Sequence, residues 1–425
     1  MYETEILVEE NSEEIISEND LINIKITINQ LLHDYIEFNI KEWYKYTFHD
    51  DMKDSVNNLL VHLLNIDKRI SADFVEDLIE NEIEKIYEQE IPIRSLESDI
   101  YIPTTNFTEL KNRLNKLFNI PLAAQRTDEW YENRRNRITA SSASKVLGSQ
   151  CKKNEIICEK CNTDVATEKV LNTDTALHWG VKYEPISSMY YEYIYDTKLK
   201  DLGCVTHPMY PFIGASPDGI NCKEDSKLFG RMLEIKNPIS REITGIPKDE
   251  YWIQMQIQME VCNLDSCDFL ETKFVEYESK QQFDEDGNFS YTQDSKLKGI
   301  IMNFGGSGNF HYEYAPIDID EVTFEEWEKE MMKKNEHLDW ISNIYWKLEE
   351  VSCVLVIRNS TWFYSIISEF KEIWDIIEKE RISGEWRKRL PINKYKKKQQ
   401  NNETSDPPQL LIHLNKKLLD TLRES

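Results

Sequence analysis

Hydrophobic residues recur at helical spacing along the N-terminal part of the chain. Two runs have apolar positions three and four residues apart: Leu31-Leu32-Tyr35-Ile36-Ile40-Trp43 and Val56-Leu59-Leu60-Leu63-Leu64. Such spacing places the apolar side chains on one face of a helix. Because carboxylates are frequent around these runs, we expect residues 1–115 to form an acidic, all-helical N-terminal region.

Strand-like patterns take over in the middle of the chain. Short apolar segments separated by Gly, Asp and Asn clusters predict strands at residues 203–206, 212–215, 231–236, 268–277, 298–303 and 310–314. A helical pattern at residues 251–261 lies between two of them, and Gly305-Gly306-Ser307-Gly308 predicts a hairpin turn. The pattern therefore predicts an α+β or α/β domain at residues 116–350, with a mixed central sheet flanked by helices.

Helical patterns return towards the C-terminus. They cover residues 324–348 and 361–382, and the second lies in a C-terminal helical extension that we assign to residues 351–395. Residues 396–425 begin with three lysines, continue through the polar stretch NNETSDPP, and end in a short amphipathic segment. This composition is typical of a polar linker and tail.

Composition and charge restrict the class of protein. Hydrophobic residues make up 40% of the chain, which is enough to bury a sizeable core. No apolar stretch approaches the roughly 20 residues of a membrane-spanning helix, and the carboxylate-rich start is unlike a signal peptide. We therefore expect a soluble, intracellular chain with no membrane partner and with reduced cysteines. The net charge of −26 argues against a non-specific nucleic-acid coat, so DNA would need a local basic strip.

Two fragments carry residues suited to phosphodiester hydrolysis. Glu234 and Lys236 share one face of a predicted strand, while Ile235 faces the opposite layer and leaves its carbonyl available to a metal. Asp218 lies in the turn Ser216-Pro217-Asp218-Gly219, and a hairpin would bring it beside Glu234. Either fragment alone is common, but carboxylates plus a lysine in this order predict a metal-dependent nuclease of the PD-(D/E)XK type.

Five separated motifs then resemble one family within that superfamily. The segments QRTDEWYENRRNRITASSASKVLG, HWGVKYEP, GASPDGI, LEIKNP and YWIQMQIQM follow in the order found in the lambda-exonuclease/YqaJ family of phage-type recombination nucleases. The stretch that resembles the family runs from Gln125 to about Tyr277, roughly the middle third of the chain. The resemblance implies a restriction-endonuclease-like core and a 5′-to-3′ exonuclease that acts on double-stranded DNA ends in recombination, repair or replication.

The resemblance also assigns roles at a metal site. It implies that Glu184, Asp218 and Glu234 bind one or two Mg²⁺ or Mn²⁺ ions, and that Lys236 positions or deprotonates the attacking water. Gln254 matches the first glutamine of the Y-x-x-Q-x-Q motif, which would hold that water or the scissile phosphate.

Two positions depart from the family pattern or match it less firmly. Gln256, the second glutamine of that motif, has a less certain role. Family members carry a further acidic residue upstream of SPDG, where this chain reads Thr206-His207-Pro208-Met209. The ligand set is therefore smaller here, or His207 occupies the space nearby.

A cluster of basic residues around Arg134 predicts a phosphate-binding site. Ser141 suits a helix N-cap and Gly148 suits the end of that helix, whose N-terminus would offer free N–H groups to a phosphate. The resemblance implies that Arg134 and Ser141 hold the terminal 5′-phosphate. The alternative is that Arg134, Arg135 and Arg137 form a solvated basic face, with Trp130 and Trp179 supporting the core.

Cys151, Cys158 and Cys161 have spacing that suits a metal knuckle, but no fourth ligand is evident. Free thiols are favoured over a structural zinc site.

Two other functions compete with an exonuclease. One is a structure-specific endonuclease on the same fold, and the other is a catalytically silent DNA- or protein-binding scaffold, against which the complete set of site residues argues. The acidic N-terminal region would dock a basic partner, shield the DNA channel, or be a solvated appendage.

Partners and location follow from the resemblance and the composition. Family members form rings around DNA and supply single strands for an annealing protein, although nothing in the sequence fixes the oligomeric state. The Asn-, Ile-, Lys- and Glu-rich composition resembles that of proteins of large eukaryotic DNA viruses, which would place the chain in a host cytoplasm or nucleus.

Overall fold

The computed structural model describes residues 17–64, 71–98, 105–123, 127–162, 175–306 and 309–390. The predicted tail at residues 396–425 and the acidic start at residues 1–16 lie outside these ranges. Among the described residues the helices are α1 (Glu18–Asn39), α2 (Phe48–Leu64), α3 (Ala72–Gln89), α4 (Phe107–Phe118), α5 (Asp128–Arg135), α6 (Ser144–Leu147), α7 (Gln150–Cys161), α8 (Ala176–Ile194), α9 (Asp249–Cys262), α10 (Lys280–Glu285), α11 (Glu321–Lys334) and α12 (Ser360–Ser383). None of these helices is long and apolar enough to cross a membrane.

The strands form a larger and a smaller sheet. They are β1 (Leu96–Glu97), β2 (Ile138–Thr139), β3 (Leu199–Lys200), β4 (Val205–Thr206), β5 (Ile213–Ala215), β6 (Gly219–Asn221), β7 (Met232–Lys236), β8 (Ser266–Glu276), β9 (Lys298–Gly306), β10 (Asn309–Tyr314) and β11 (Asp339–Ile357). The larger sheet has the order β10-β9-β11-β8-β7-β6-β3, with β1 paired to β11, and the smaller has the order β2-β5-β4. A mixed sheet flanked by helices is the predicted fold class, which is confirmed.

The pairing of β6 and β8 with β7 determines the surroundings of Glu234. Strand β6 is antiparallel to β7, with Gly219 opposite Leu233, whereas β8 is parallel to β7. A parallel neighbour needs a crossover connection, and α9 supplies it between the ends of β7 and β8. As a result α9 packs against the sheet beside the strand that carries Glu234.

Helices α1 and α2 form where the apolar spacing predicts them, but the expected all-helical region also contains strand β1, which pairs with β11. Ser17 caps α1 by accepting a hydrogen bond from the Asp20 N–H at 3.1 Å. The helix buries residues at four-residue spacing, Ile24, Ile28, Leu32 and Ile36. One apolar cluster contains side chains from α1 to α4 together with side chains from α9 and α12. The N-terminal helices therefore pack against the helices that cover the sheet.

The helix predicted at residues 324–348 is wrong in its second half. Helix α11 ends at Lys334, and residues 339–357 form strand β11 instead. This segment is rich in Ile, Val, Trp and Tyr, which favour strands. It pairs with β8 along one edge and with β9 along the other, so long-range hydrogen bonds override the local helical pattern. The first residues of the predicted C-terminal helical extension, 351–357, are consequently strand.

The hairpin predicted at the glycine cluster is confirmed, because β9 and β10 pair antiparallel with Gly306 opposite Asn309.

Candidate active site

Asp218 lies at the junction between the two sheets. It follows β5 and immediately precedes β6, and its Oδ2 accepts a hydrogen bond from the backbone N–H of Ile235 at 2.7 Å. This contact fixes the carboxylate against β7, as the hairpin argument predicts. A Cβ at Gly219 would lie 3.1 Å from Cδ2 of Leu199, so a larger residue there would require the Leu199 side chain to shift by a few tenths of an ångström.

Glu234 is fully buried on β7 and receives three side-chain hydrogen bonds. Its Oε1 contacts the Lys236 ammonium and accepts from Nε2 of Gln254 at 2.6 Å. Its Oε2 accepts from Nε2 of Gln258 at 2.7 Å. Gln254 and Gln258 are one helical turn apart on α9, so the helix presents two amides to the two oxygens of one carboxylate. Glu234 is therefore held in one orientation.

The charges of the site act strongly on one another. Removal from water, then the Glu234 carboxylate, raises the pKa of Asp218 well above its usual range, and the Lys236 ammonium opposes this. Burial alone would lower the pKa of Lys236, but the Glu234 and Asp218 carboxylates outweigh it and raise the pKa. Without a divalent cation, the lysine thus balances part of the charge of two neighbouring carboxylates.

Glu184 lies on α8, close enough for its charge to help raise the pKa of Asp218. Helix α8 is joined to the sheet by a polar cluster in which Asn237 Nδ2 donates to Ser187 Oγ and to Thr272 Oγ1, both at 2.7 Å. The described residues nevertheless contain no group of three or more His, Cys, Asp or Glu side chains gathered closely enough to hold one metal ion. The structure thus places Asp218 beside Glu234, with the charge of Glu184 near enough to act on Asp218.

The donor chemistry of this pair fits a hard divalent cation. Oxygen ligands from carboxylates and carbonyls are those that Mg²⁺ and Mn²⁺ prefer. The buried Gln258 also has an amide oxygen, Oε1, with no hydrogen-bond partner within the described part of the chain. A buried acceptor normally has a donor or an ordered water. The unpaired oxygen beside Glu234 is therefore consistent with a hydrated cation.

Gln258 is a site residue that the sequence reasoning missed. The sequence feature that could have identified it is the four-residue spacing from Gln254, which places both amides on the same face of a helix. Gln256 lies on another face, where its Nε2 donates to the Ile357 carbonyl at 2.8 Å and its Oε1 accepts from the Asn359 N–H at 2.7 Å. It therefore joins α9 to the start of α12 and does not contact Glu234.

His207 is buried away from the carboxylates. Its Nδ1 accepts hydrogen bonds from the backbone N–H groups of Met209 and Tyr210, both at 3.1 Å, and its ring stacks on Phe363. These contacts stabilise the turn that precedes β5. The hydrogen bonds and the ring stacking of His207 are thus made with its own turn and with Phe363.

The structure brings Arg134 and Ser141 together. Nη2 of Arg134 donates to Oγ of Ser141 at 3.1 Å, and the guanidinium lies over the Trp130 ring, 4.5 Å from its centroid. The expected N-cap role of Ser141 is wrong. Ser141 lies inside a 3-10 turn, Ala140–Ser142, and the following helix α6 has only four residues. The neighbouring Ser142 stabilises this turn, because its Oγ donates to the Thr139 carbonyl at 3.1 Å. Arg134 and Ser141 thus remain a polar pair without a helix N-terminus behind them.

The small sheet connects this pair to the carboxylates. Strand β2 runs parallel to β5, with Ile138 opposite Ile213 and Thr139 opposite Gly214. Parallel strands end at the same edge of a sheet, and Ser141 follows β2 while Asp218 follows β5. The Arg134–Ser141 pair and Asp218 therefore lie beyond the same edge.

The cysteines on α7 pack against the C-terminal part of the chain. The Cys158 thiol donates to the Trp386 carbonyl and the Cys161 thiol to the Ile377 carbonyl, both at 3.6 Å. Burial raises the pKa of Cys161 to about 11, which favours the protonated thiol. Cys151 is exposed at the start of the helix.

Comparison with known proteins identifies the segment that carries these residues. Residues 129–265 match the family model of the YqaJ-like viral recombinase domain. The resemblance predicted from the five motifs is confirmed. This YqaJ-like segment contains Arg134, Ser141, Asp218, Glu234 and Gln258.

Similar proteins occur in a virus and in bacteria. The uncharacterized protein R354 of Acanthamoeba polyphaga mimivirus is 30% identical over 310 residues, which are 64% of this chain and 56% of that protein. The chain thus spans little more than half of its length. Among solved structures, the alkaline exonuclease LHK-Exo from Laribacter hongkongensis has a TM-score of 0.36 at 20% identity, covering 60% of this chain and 95% of the other. A phage-related exonuclease from Haemophilus somnus has a TM-score of 0.32 at 13% identity, covering 58% and 93%.

Proposed function

We propose that the chain is a divalent-cation-dependent deoxyribonuclease that digests double-stranded DNA from its ends in the 5′-to-3′ direction. The observation that carries this proposal is the shared edge of the small sheet, beyond which lie both the Asp218–Glu234 carboxylate pair and the Arg134–Ser141 pair. An enzyme that cleaves near the end of a strand needs one group that binds the terminal phosphate. Beside it, the enzyme needs a second group that hydrolyses a phosphodiester bond.

Asp218 and Glu234 would hold one or two Mg²⁺ or Mn²⁺ ions, with the Ile235 carbonyl and Glu184 as further oxygen ligands. When bound, the cation lowers the pKa of a water molecule and neutralises charge on the phosphate. The clamp formed by Gln254 and Gln258 keeps the Glu234 carboxylate in one orientation during this chemistry.

Lys236 acts on the attacking water or on the phosphate. Its ammonium contacts Glu234 and lies over the Tyr251 ring at 5.1 Å, so its long side chain is held in place. From this position the ammonium donates a hydrogen bond that orients the attacking water, whereas a role as general base would first require loss of the lysine's own proton. Gln254, which already donates to Glu234, keeps its amide oxygen for the same water.

Arg134 supplies the recognition of the terminal phosphate. A guanidinium forms two parallel hydrogen bonds with a phosphate, and the Trp130 ring keeps its plane in one orientation. Ser141 adds a hydroxyl donor. A product single strand would then be available to an annealing protein, and a ring of several subunits would keep the enzyme on its DNA.

Four substrates test this proposal with the full chain in MgCl₂: a linear duplex with a 5′-phosphate, the same duplex with a 5′-hydroxyl, a linear duplex labelled at the 3′ end, and a covalently closed circle. We expect nucleotide release from the phosphorylated end first, no cutting of the circle, and no release by Asp218→Asn. Arg134→Ala should abolish the preference for the 5′-phosphate and leave slow digestion. Efficient cutting of closed circles would instead establish an endonuclease.

A further inference from the structure

A cleft of about 560 Å³ lies between the N-terminal region and the YqaJ-like segment. Its walls include Tyr44 and Tyr46 before α2, Ser141, Lys145 and Lys152 after β2, and Lys248 at the start of α9. Ile253 also lines it, and the next residue along α9 is Gln254, which donates to Glu234. The cleft therefore includes Ser141 of the Arg134–Ser141 pair and borders the first turns of α9, the helix that also carries Gln254.

Tyr46 is held in the cleft wall by Asp249 of α9, and Tyr44 is held by Arg94, which binds the same aspartate. The backbone N–H of Tyr46 donates to Asp249 Oδ1 at 3.0 Å, and Arg94 Nη2 donates to the same oxygen at 3.1 Å. Arg94 Nε in turn donates to the Tyr44 carbonyl at 3.1 Å. The Tyr46 side chain nevertheless remains 64% exposed. A fixed loop thus presents an aromatic ring to solvent.

The lining also gathers positive charge in a strongly acidic protein. Lys145 and Lys152 each pair with one glutamate of α7, at 2.8 and 3.1 Å, and both of those glutamates are more than two-fifths exposed. Lys248 forms no ion pair within the described part of the chain. Of the two carboxylates in the lining, Asp249 is paired with Arg94, which leaves Glu250 as the opposing charge. A polyanion is therefore better accommodated here than on the chain as a whole.

We propose that this cleft binds a short stretch of single-stranded DNA, with a base stacked on Tyr46 and with Lys145, Lys152 and Lys248 contacting phosphates. Sites for single strands combine a basic groove with exposed aromatic rings. Cavities of about 300–1,000 Å³ enclose drug-sized ligands, so this cleft has room for one or two nucleotides and not for a duplex. The inference rests on the proposed function for its choice of DNA. It gives the N-terminal region a part in holding the substrate.

Binding of a ten-nucleotide oligothymidylate by the full chain in EDTA tests this inference without hydrolysis. In fluorescence anisotropy, Tyr46→Ala should weaken binding about 5- to 140-fold, the range expected for one lost base stack. Tyr46→Phe keeps the ring and should bind like the wild type. Tyr364→Ala is the matched control, because Tyr364 is 48% exposed on α12 and outside the cleft.

Charge is tested by the dependence of binding on salt. Lys248→Ala should reduce the slope of log K against log salt by about 0.7, the value for one phosphate contact on a single strand. Equal binding by wild type and Tyr46→Ala would overturn the inference, as would a loss confined to blunt duplex. If the chain binds oligothymidylate through Tyr46 but digests no DNA, the proposed function fails and the cleft assignment stands. If the wild type digests DNA while Tyr46→Ala binds oligothymidylate unchanged, the proposed function stands and the cleft assignment fails.

Discussion

The substitution Gln258→Leu should affect activity, through the orientation of Glu234, more than it affects the stability of the fold. Leucine has a similar volume but cannot donate to Glu234 Oε2, which Gln258 Nε2 contacts at 2.7 Å. A hydrogen bond to a charged acceptor contributes about 1.5–3 kcal/mol. The same substitution removes the unpaired Oε1, and a buried unpaired polar atom costs about 1–3 kcal/mol. Because the two effects offset each other, the free energy of unfolding should change by no more than about 2 kcal/mol in either direction.

The effect on activity should be larger. Glu234 would keep its contacts with Gln254 and Lys236, both on Oε1, but would lose the α9 amide that donates to Oε2, so the carboxylate would turn more freely. Loss of a residue that orients a metal ligand typically lowers activity or metal affinity about 10- to 100-fold. This corresponds to about 1.4–2.8 kcal/mol of transition-state stabilisation. The assay is the initial rate of nucleotide release from a 5′-phosphorylated duplex, measured across a range of MgCl₂ concentrations.

Gln256→Leu is the matched control on the same helix. Gln256 is equally buried, but its two hydrogen bonds satisfy the Ile357 carbonyl and the Asn359 N–H, each of which would lose its partner. Two unpaired buried groups cost about 2–6 kcal/mol together, so this variant should unfold at a lower temperature. Its rate per folded molecule should stay near that of the wild type. The reasoning is refuted if Gln258→Leu retains at least half of the wild-type rate, or if Gln256→Leu loses equal activity while folded.

Two further predictions concern charge in the interior. Asp218→Asn should raise the melting temperature in EDTA, because it removes a carboxylate that is buried away from water and that is repelled by Glu234. It should also abolish the rise in melting temperature that MgCl₂ gives the wild type. A Mg²⁺-dependent rise in the variant would contradict the ligand assignment. Arg358→Met leaves the buried Glu260 carboxylate without the guanidinium that contacts it at 2.6 Å, so urea denaturation should show a loss of about 3–5 kcal/mol. Lys273→Met is the control, since its 3.8 Å pair with Glu350 is more exposed and should cost less than about 1 kcal/mol.

Several parts of the site follow from residues that are close in sequence. Asp218 and Glu234 flank one hairpin, so the turn sequence and the strand pattern suffice to bring them together. Arg134 and Ser141 are seven residues apart and also meet as expected. The local conformation at Ser141 was less predictable, because a serine before a short apolar run suits both an N-cap and a 3-10 turn. Gln258 was predictable in principle from its helical spacing to Gln254.

The sequence by itself determined the helices and strands in which apolar residues recur at a regular spacing. It also determined the chemistry of the motifs whose residues are brought together by local structure. The tertiary structure decided which competing pattern prevailed and which distant residues met. Residues 339–357 became a strand because β8 and β9 offered hydrogen bonds on both edges. Tyr46 joined the cleft through Asp249, 203 residues away along the chain. Contacts of this kind depend on the energies of strand pairing and packing between distant segments. These energies produce no regular spacing of apolar residues in the local sequence.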